Sequence, residues 1–172
     1  MIETKDLYYK KRNPSYAVEL KERTRENVIC YFEKVQDEEI KRFLPQKARS
    51  VEEAISDFEK TLLPDAASFG STIYVNKNYV GDVWAYCIGG DEPNAMLSFC
   101  VFEKSLWGKG IASEAVRIFL DEMKEKYSLR SMGAFTFSNN QASINVLMKN
   151  GFQEKETFTE NGVESKYFQI DF

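Results

Sequence analysis

The chain has 172 residues, of which 43% are hydrophobic and 29% are charged, and it carries a net charge of −4 without a single histidine. This length and composition predict one globular domain, residues 1–172, that buries a core without disulfides or metal. The acidic balance argues against a nucleic-acid-binding protein, and no apolar run reaches the length of a membrane helix. The absence of histidine excludes Ser-His-Asp and Cys-His nucleophile arrangements.

The three cysteines favour a reducing compartment. Cys30, Cys87 and Cys100 are too few and too scattered for a disulfide framework or a zinc site. The charged N-terminus also lacks the apolar segment of a signal peptide. We therefore expect reduced thiols in a cytoplasmic protein that needs no metal.

The first half of the chain predicts helices followed by antiparallel strands. A strand is predicted over 16–24, then helical pieces over 26–36 and 37–45. Ser50, with Glu53 three residues later, predicts a capping box at the start of a helix. The apolar face of that helix contains Val51, Ala54, Ile55, Phe58 and Leu62. Next come two strands turning at 76–78 and a third over 95–103, all rich in β-branched and aromatic residues.

The second half predicts alternating strands and helices. A long amphipathic helix runs from Ile111 to about Lys126, and a second helix begins at Asn140. Strands are predicted over 132–138 and 164–172. Together the elements indicate an α/β fold with a mixed sheet, in which mostly antiparallel N-terminal strands precede a β-α-β-α-β unit.

Two glycines mark the start of the long helix. Gly108 and Gly110 lie where a strand gives way to that helix, and a helix start presents unpaired N–H groups and a positive dipole end. The glycines let the backbone approach a phosphate or pyrophosphate closely. An ordinary glycine-rich turn without a ligand is the alternative. The spacing matches neither the dinucleotide-binding nor the P-loop pattern, so a nucleotide enzyme of either kind is not expected.

Two longer blocks carry a family resemblance. The segment "SFCVFEKSLWGKGIASEAV", followed about thirty residues later by "NNQASINVLMKNGF", resembles the GNAT family of acyl-CoA-dependent N-acyltransferases. The similarity is greatest to its branch of ribosomal-protein-alanine and spermidine-type acetyltransferases. The pyrophosphate-loop pattern is matched by Trp107, Gly108, Lys109, Gly110, Ile111 and Ala112, with Trp107 departing from the usual Gln or Arg. The second block is matched by Asn140, Ser143, Asn145, Val146, Leu147, Lys149, Gly151 and Phe152.

The resemblance implies the splayed sheet of this fold and a site for acetyl-CoA as co-substrate. Backbone N–H groups from Gly108 to Ser113 would bind the pyrophosphate. The preceding strand, at Cys100, Val101 and Phe102, would pair its backbone with the pantetheine arm. The N–H of Phe102 or of a neighbour would polarise the thioester carbonyl. Asn140, Asn145 and Lys149 would contact the cofactor, although Asn140 also suits a helix N-cap and the other two suit solvated helix positions.

The resemblance also implies direct attack of an amine on the thioester. Ser143 would protonate the departing thiolate, because Leu147 replaces the tyrosine that many members use; a simple helix-surface hydroxyl is the alternative. Glu103 and Glu92, with the neighbouring Asp91, are candidate bases. Glu39, Phe43, Trp84 and Tyr86 would line the acceptor side.

The expected function is therefore transfer of an acetyl group from acetyl-CoA to a primary amine. A symmetric dimer is the default expectation for such an enzyme. The acceptor could be a protein N-terminus, a polyamine or another small amine. A catalytically silent acyl-CoA-binding relative is the main alternative. A non-enzymatic interaction module is the second alternative, against which the paired motifs argue.

Overall fold

The computed structural model describes residues 16–45 and 47–172 and contains one seven-stranded sheet in the order β1-β2-β3-β4-β5-β7-β6. The strands are β1 (Val18–Glu22), β2 (Phe69–Val75), β3 (Asn78–Tyr86), β4 (Met96–Val101), β5 (Ser131–Phe137), β6 (Gln153–Glu160) and β7 (Val163–Asp171). The helices are α1 (Arg25–Lys34), α2 (Glu38–Phe43), α3 (Val51–Thr61), α4 (Ile111–Tyr127) and α5 (Gln141–Lys149), with a 3-10 turn at Lys104–Leu106. The predicted α/β fold with a mixed sheet is confirmed.

Strands β1 to β4 form an antiparallel meander. The predicted turn between β2 and β3 is present, and Asn76 and Lys77 adopt φ values of 49° and 70°. Positive φ at both central residues is typical of the tight turn that joins twisted hairpin strands. Among the described strands, the one parallel pair is β4 with β5, which the crossover helix α4 connects.

The helices cover the two faces of the sheet. Helices α4 and α5 pack on one face, where Phe119, Leu97 and Leu147 lie in the main hydrophobic core. A second, smaller cluster on the other face contains Val35, which follows α1, Ile40 of α2, and Phe102, which follows β4. The central strands β2 to β4 therefore have both faces covered, which explains their near-continuous hydrophobic runs.

Helix α3 departs from its prediction in two ways. Ser50 accepts a hydrogen bond from the Glu53 N–H (3.1 Å), but Glu53 accepts from the Arg49 N–H instead of returning to Ser50. Only half of the predicted capping box is therefore formed. None of the helix residues is fully buried, and Leu62, predicted on the apolar face, is 66% exposed at the C-terminal cap.

Strand β6 was not predicted. All but one of its residues are exposed, and its sequence "QEKETFTE" lacks the apolar alternation that identifies a half-buried strand. It forms because it pairs with β7 in an antiparallel hairpin at the edge of the sheet. Within the described part of the chain, no helix is long and apolar enough to cross a membrane.

Candidate functional site

The two parallel central strands separate soon after they begin. The Gly133 N–H donates to the Ala95 carbonyl (3.0 Å), and Met96 and Gly133 are the one residue pair in register between β4 and β5. Beyond that pair the strands diverge. They bound a cleft of about 450 Å³ that reaches helices α4 and α5 on one face and α2 on the other. The predicted splay is therefore present, and it opens a passage between the two faces.

The pairing of β4 with β3 determines which backbone groups face this cleft. The Phe102 N–H donates to the Val80 carbonyl of β3 (2.9 Å). Because successive residues of a strand direct their N–H and C=O groups to opposite neighbours, the even-numbered residues of β4 bond to β3. Of the predicted donors, the Phe102 N–H is therefore excluded because it bonds to β3, and the Cys100 amide is directed to β3 as well. The neighbouring alternative stays a prediction. Beyond the Met96–Gly133 pair, the cleft receives the backbone groups of Phe99 and Val101.

One of those groups already has a partner. The Trp107 indole N–H donates to the Val101 carbonyl (2.8 Å), and Trp107 lines the cleft while remaining 41% exposed. Trp107, which departs from the family's loop pattern, thus links the loop to the end of β4 through a hydrogen bond. The Val101 N–H lies on the same side of the strand and is directed into the cleft.

The predicted glycine cradle lies at the mouth of the cleft. Gly108 and Gly110 both line it, with φ values of 76° and 81° in the left-handed region. Gly110 is the N-cap of α4, and no side chain caps that helix; its carbonyl accepts the first helical bond from the Glu114 N–H (3.1 Å). The N–H groups of residues 111–113 have no acceptor within the helix. Cleft-lining residues here are Ile111, Ala112 and Ser113, whereas Lys109 is exposed outside the cleft wall.

The start of α5 forms the opposite wall on the same face. The Asn140 Oδ1 accepts from the Ser143 N–H (3.2 Å), so Asn140 is an N-cap. The Asn145 Oδ1 accepts from the Gln141 side chain (2.8 Å). The predicted cofactor residues that line the cleft here are Asn140, Ser143, Asn145 and Lys149. The helix-cap interpretation of Asn140 is compatible with a cofactor contact, which stays a prediction.

The acceptor-side predictions divide into two groups. Glu39 and Phe43 of α2 line the cleft, together with Phe135 of β5, which the sequence analysis did not identify. Trp84 and Tyr86 lie outside the cleft wall. Trp84 packs edge-on against Tyr31, with ring centroids 6.2 Å apart.

The two candidate bases also lie outside the cleft wall. Glu103 is exposed and accepts a hydrogen bond from Ser105 (3.0 Å), and Glu92 is exposed beside Pro93, to which a cis peptide joins it. Among the described residues, the carboxylate that lines the cleft is that of Glu39. Among the described residues, the cleft wall therefore offers no carboxylate that is free of a partner and could act as the general base.

Among the described residues, Cys100 is the cysteine whose thiol lines the cleft. Burial raises the pKa of Cys100 to about 12, so the thiol stays protonated near neutral pH. A thiol is a poor nucleophile compared with its thiolate. This protonation state favours direct attack by the substrate over a covalent enzyme intermediate on Cys100.

The fold and the cleft define a class of protein. The chain matches the family model of the Acetyltransferase (GNAT) domain over residues 18–153. The protein therefore belongs to the GNAT family and is an acetyl-CoA-dependent acyltransferase. No curated protein sequence matches the chain significantly.

Several solved structures share this fold and differ in their acceptors. An AAC(6')-Ib structure with ribostamycin and coenzyme A has 14% identity and a TM-score of 0.76, covering 90% of this chain and 93% of that one. RimL, a ribosomal L7/L12 α-N-protein acetyltransferase with coenzyme A, has 19% identity, a TM-score of 0.73 and coverages of 90% and 93%. A chimera of the spermidine N-acetyltransferase SpeG from Vibrio cholerae and hSSAT has 19% identity, a TM-score of 0.74 and coverages of 90% and 95%. These similarities establish the fold alone.

Proposed function

We propose that the protein transfers the acetyl group of acetyl-CoA to a primary amine by direct attack. The observation that carries this proposal is the interrupted β4–β5 ladder, which leaves backbone groups of β4 without a strand partner beside an uncapped helix start. Unpaired backbone groups next to a cleft are costly unless a ligand or water satisfies them. Acetyl-CoA fits because it supplies a pyrophosphate and an extended amide-bearing arm.

The pyrophosphate would be held at the start of α4. Gly108 and Gly110 adopt left-handed conformations that let consecutive N–H groups point into the cleft, and the dipole of a 17-residue helix adds positive potential there. The N–H groups of Ile111, Ala112 and Ser113 complete the cradle. Its donors are backbone atoms, which explains why a chain with a net negative charge can bind a polyanion.

The thioester carbonyl would accept a hydrogen bond from an odd-numbered residue of β4. Val101 and Phe99 are the candidates because their N–H groups face the cleft, which replaces the earlier expectation for Phe102. A fixed donor at this carbonyl stabilises the negative charge that develops on its oxygen during attack. The arrangement requires no reorganisation of side chains.

The amine would reach the acetyl group from the α2 side of the sheet. Its nitrogen forms the new bond to the acetyl carbon, the C–S bond breaks, and the CoA sulfur leaves with one proton. Before attack, the ammonium group loses one proton to water. Ser143 lines the cleft and is the candidate donor of the proton that the sulfur takes, and the proton released by the attacking nitrogen then restores the Ser143 hydroxyl through water. Positioning of the two substrates supplies most of the rate enhancement in such a scheme.

Calorimetric titration with acetyl-CoA, followed by a thiol-release assay with an amine panel, tests this proposal. Binding that is lost in Gly110→Pro is expected, because proline cannot adopt the φ of 81° found at this position. Circular dichroism shows whether the variant remains folded. Absence of binding in the wild type would refute the proposal.

The silent acyl-CoA-binding relative is the second candidate. It is favoured by the positions of Glu103 and Glu92 outside the cleft wall and by Leu147 at the site of the family's tyrosine. Binding of acetyl-CoA without thiol release for any amine would identify it. The cytoplasmic location and the symmetric dimer stay predictions.

A further inference from the structure

The wall that faces the acceptor is mostly apolar. On the α2 side, the cleft is lined by Ile40 and Phe43 of α2, by Leu44 directly after the helix, and by Phe135 of β5. Phe135 is 56% exposed, which is unusual for a large apolar side chain at the centre of a sheet. This wall suits an acceptor that carries an apolar group next to its amine.

The apolar surface continues beyond the cleft across the C-terminal strands. Phe135 contacts Tyr167 of β7 with ring centroids 5.2 Å apart, and Phe158 of β6 with centroids 5.9 Å apart. The three rings form a continuous aromatic surface on one face of the sheet. Aromatic surfaces of this kind bind apolar groups, and they also attract a single cation through their ring faces.

The one carboxylate of the described cleft wall is already neutralised. The Lys104 ammonium lies 2.8 Å from Asp37 Oδ2 and 3.1 Å from Glu39 Oε2. Asp37 also caps α2 through hydrogen bonds from the Glu39 and Ile40 N–H groups. Hydrogen bonding to Lys104 lowers the pKa of Asp37, and the same contact with Asp37 and Glu39 raises the pKa of Lys104. Asp37 and Lys104 are therefore both charged throughout the neutral pH range.

No excess of negative charge remains on this wall. The three acidic residues of the α2 segment are Asp37, Glu38 and Glu39, and they are balanced by Lys41 and Arg42 in the last turn and by Lys104. A site that selects a polycation needs several uncompensated carboxylates. The described residues provide none at this wall, although the whole chain is acidic.

We propose that the acceptor is a singly charged primary amine borne on an apolar or aromatic group, and that Lys104 is the residue that discriminates against polycations. The inference rests on the proposed acetyl transfer to an amine. Lys104 occupies the carboxylates that a second or third ammonium group would use, and it repels that group. The peptide α-amino group and the small arylalkylamine share this chemistry.

Amine binding to the protein tests the inference without requiring turnover. The probes are 2-phenylethylamine, a short peptide with N-terminal phenylalanine and spermidine, each titrated calorimetrically with and without saturating CoA. We expect both singly charged amines to bind the wild type more tightly than spermidine. Removing one positive charge about 4 Å from a bound ammonium group strengthens its binding by roughly fivefold in water. Lys104→Met should therefore strengthen spermidine binding by roughly fivefold, because a second ammonium group of spermidine would lie beside Lys104. It should leave 2-phenylethylamine binding nearly unchanged, because the one ammonium group of that probe is placed at the acetyl group.

Two controls separate specificity from structure. Lys60→Met removes an exposed positive charge from α3, outside the cleft wall, and leaves the Asp37–Lys104–Glu39 cluster intact, so it should keep the wild-type ratio of affinities. Lys104→Arg preserves the charge and should also keep that ratio. The two singly charged probes then distinguish a peptide acceptor from a small amine.

Several results would overturn the inference. Tighter binding of spermidine than of both singly charged amines by the wild type would do so, as would an equal change for all three probes in Lys104→Met. Thiol release is recorded separately in the same samples. If the amines bind in the expected order but release no thiol, the proposed transfer fails and the acceptor preference stands. If spermidine is both bound and acetylated best, the transfer stands and the acceptor preference fails.

Discussion

Gly108 and Gly162 provide a matched pair that tests the pyrophosphate cradle. Their φ values are 76° and 77°, and a Cβ added at either position would meet no atom within 4 Å. Gly108 lines the cleft at the start of the cofactor loop, whereas Gly162 lies in the remote turn between β6 and β7. Substitution by alanine therefore introduces the same backbone strain at both sites, but only one site is predicted to contact acetyl-CoA.

The expected magnitudes follow from that strain. An L-residue in the left-handed region costs roughly 1–2 kcal/mol, so Gly162→Ala should lose about that much free energy of unfolding, and Gly108→Ala should lose at most that much. For a domain of this size, each kcal/mol lowers Tm by roughly 2–4 °C. In Gly108→Ala, the free loop relaxes away from the strained conformation, and acetyl-CoA must restore that conformation on binding. If binding must restore 1–2 kcal/mol of strain, the Kd for acetyl-CoA rises roughly 5- to 30-fold.

Thermal unfolding and calorimetric titration of both variants provide the measurement. We expect Gly162→Ala to lose thermal stability and keep the wild-type Kd, and Gly108→Ala to weaken acetyl-CoA binding. A wild-type Kd in both variants would show that the Gly108 backbone does not hold the cofactor. A Kd raised equally in both variants would instead indicate a general effect of destabilisation.

Three further expectations concern side chains of the proposed site. Ser143→Ala should lower kcat by about tenfold or more while leaving the Kd for acetyl-CoA unchanged, because a proton donor acts only when the C–S bond breaks; an unchanged kcat in the thiol-release assay would remove Ser143 from the mechanism. Glu103→Gln and Glu92→Gln should each retain kcat/KM within about twofold, because both carboxylates lie outside the cleft wall. At pH 8, a thiol reagent should label exposed Cys87 and spare Cys100, whose pKa burial raises to about 12, as peptide mass spectrometry would show; rapid labelling of Cys100 would contradict that environment.

Most elements of the fold could be predicted because their sequences have a clear period. The long helix α4 has apolar residues at helical spacing, and the strands from β2 to β5 are dense in β-branched and aromatic residues. Strand β6 could not be identified, since its polar residues gain their structure from pairing with β7. Phe135 could have been found, because strand alternation places it on the face opposite buried Ala134.

The cofactor loop could be predicted from local sequence, but the carboxylates could not. The loop presents consecutive backbone groups, so two glycines at a strand-to-helix junction are enough to predict where it lies. A general base depends on which side chain reaches the cleft from another element. Glu103 follows β4 by two residues, yet the chain turns into a 3-10 turn there and the side chain bonds to Ser105. Proximity along the chain to a functional strand does not place a side chain inside the site.

The register of β3 in the sheet is stabilised by a buried charge. Asp82 is 2% exposed on the sheet face opposite α4, where Arg23 lies 3.1 Å away and the Tyr79 hydroxyl donates to it at 2.6 Å. Burial raises the pKa of Asp82, so its charge is costly without these partners. A slip of β3 by one residue would turn Asp82 towards the apolar core beneath α4. Such a slip would leave the carboxylate and Arg23 unpaired, which costs several kcal/mol.

The backbone direction of β4 itself follows from the faces on which its side chains pack. Asp82 is in register with Cys100, and Val80 accepts the hydrogen bond from the Phe102 N–H. The even-numbered groups of β4 therefore bond to β3, and the groups of Phe99 and Val101 face the cleft. Presenting the other set of amides would require β4 to turn over, which would move Phe99 and Val101 away from the main core and Phe102 away from the second cluster. The candidate donors for the thioester carbonyl therefore follow from the hydrophobic packing of β4 on the two faces of the sheet.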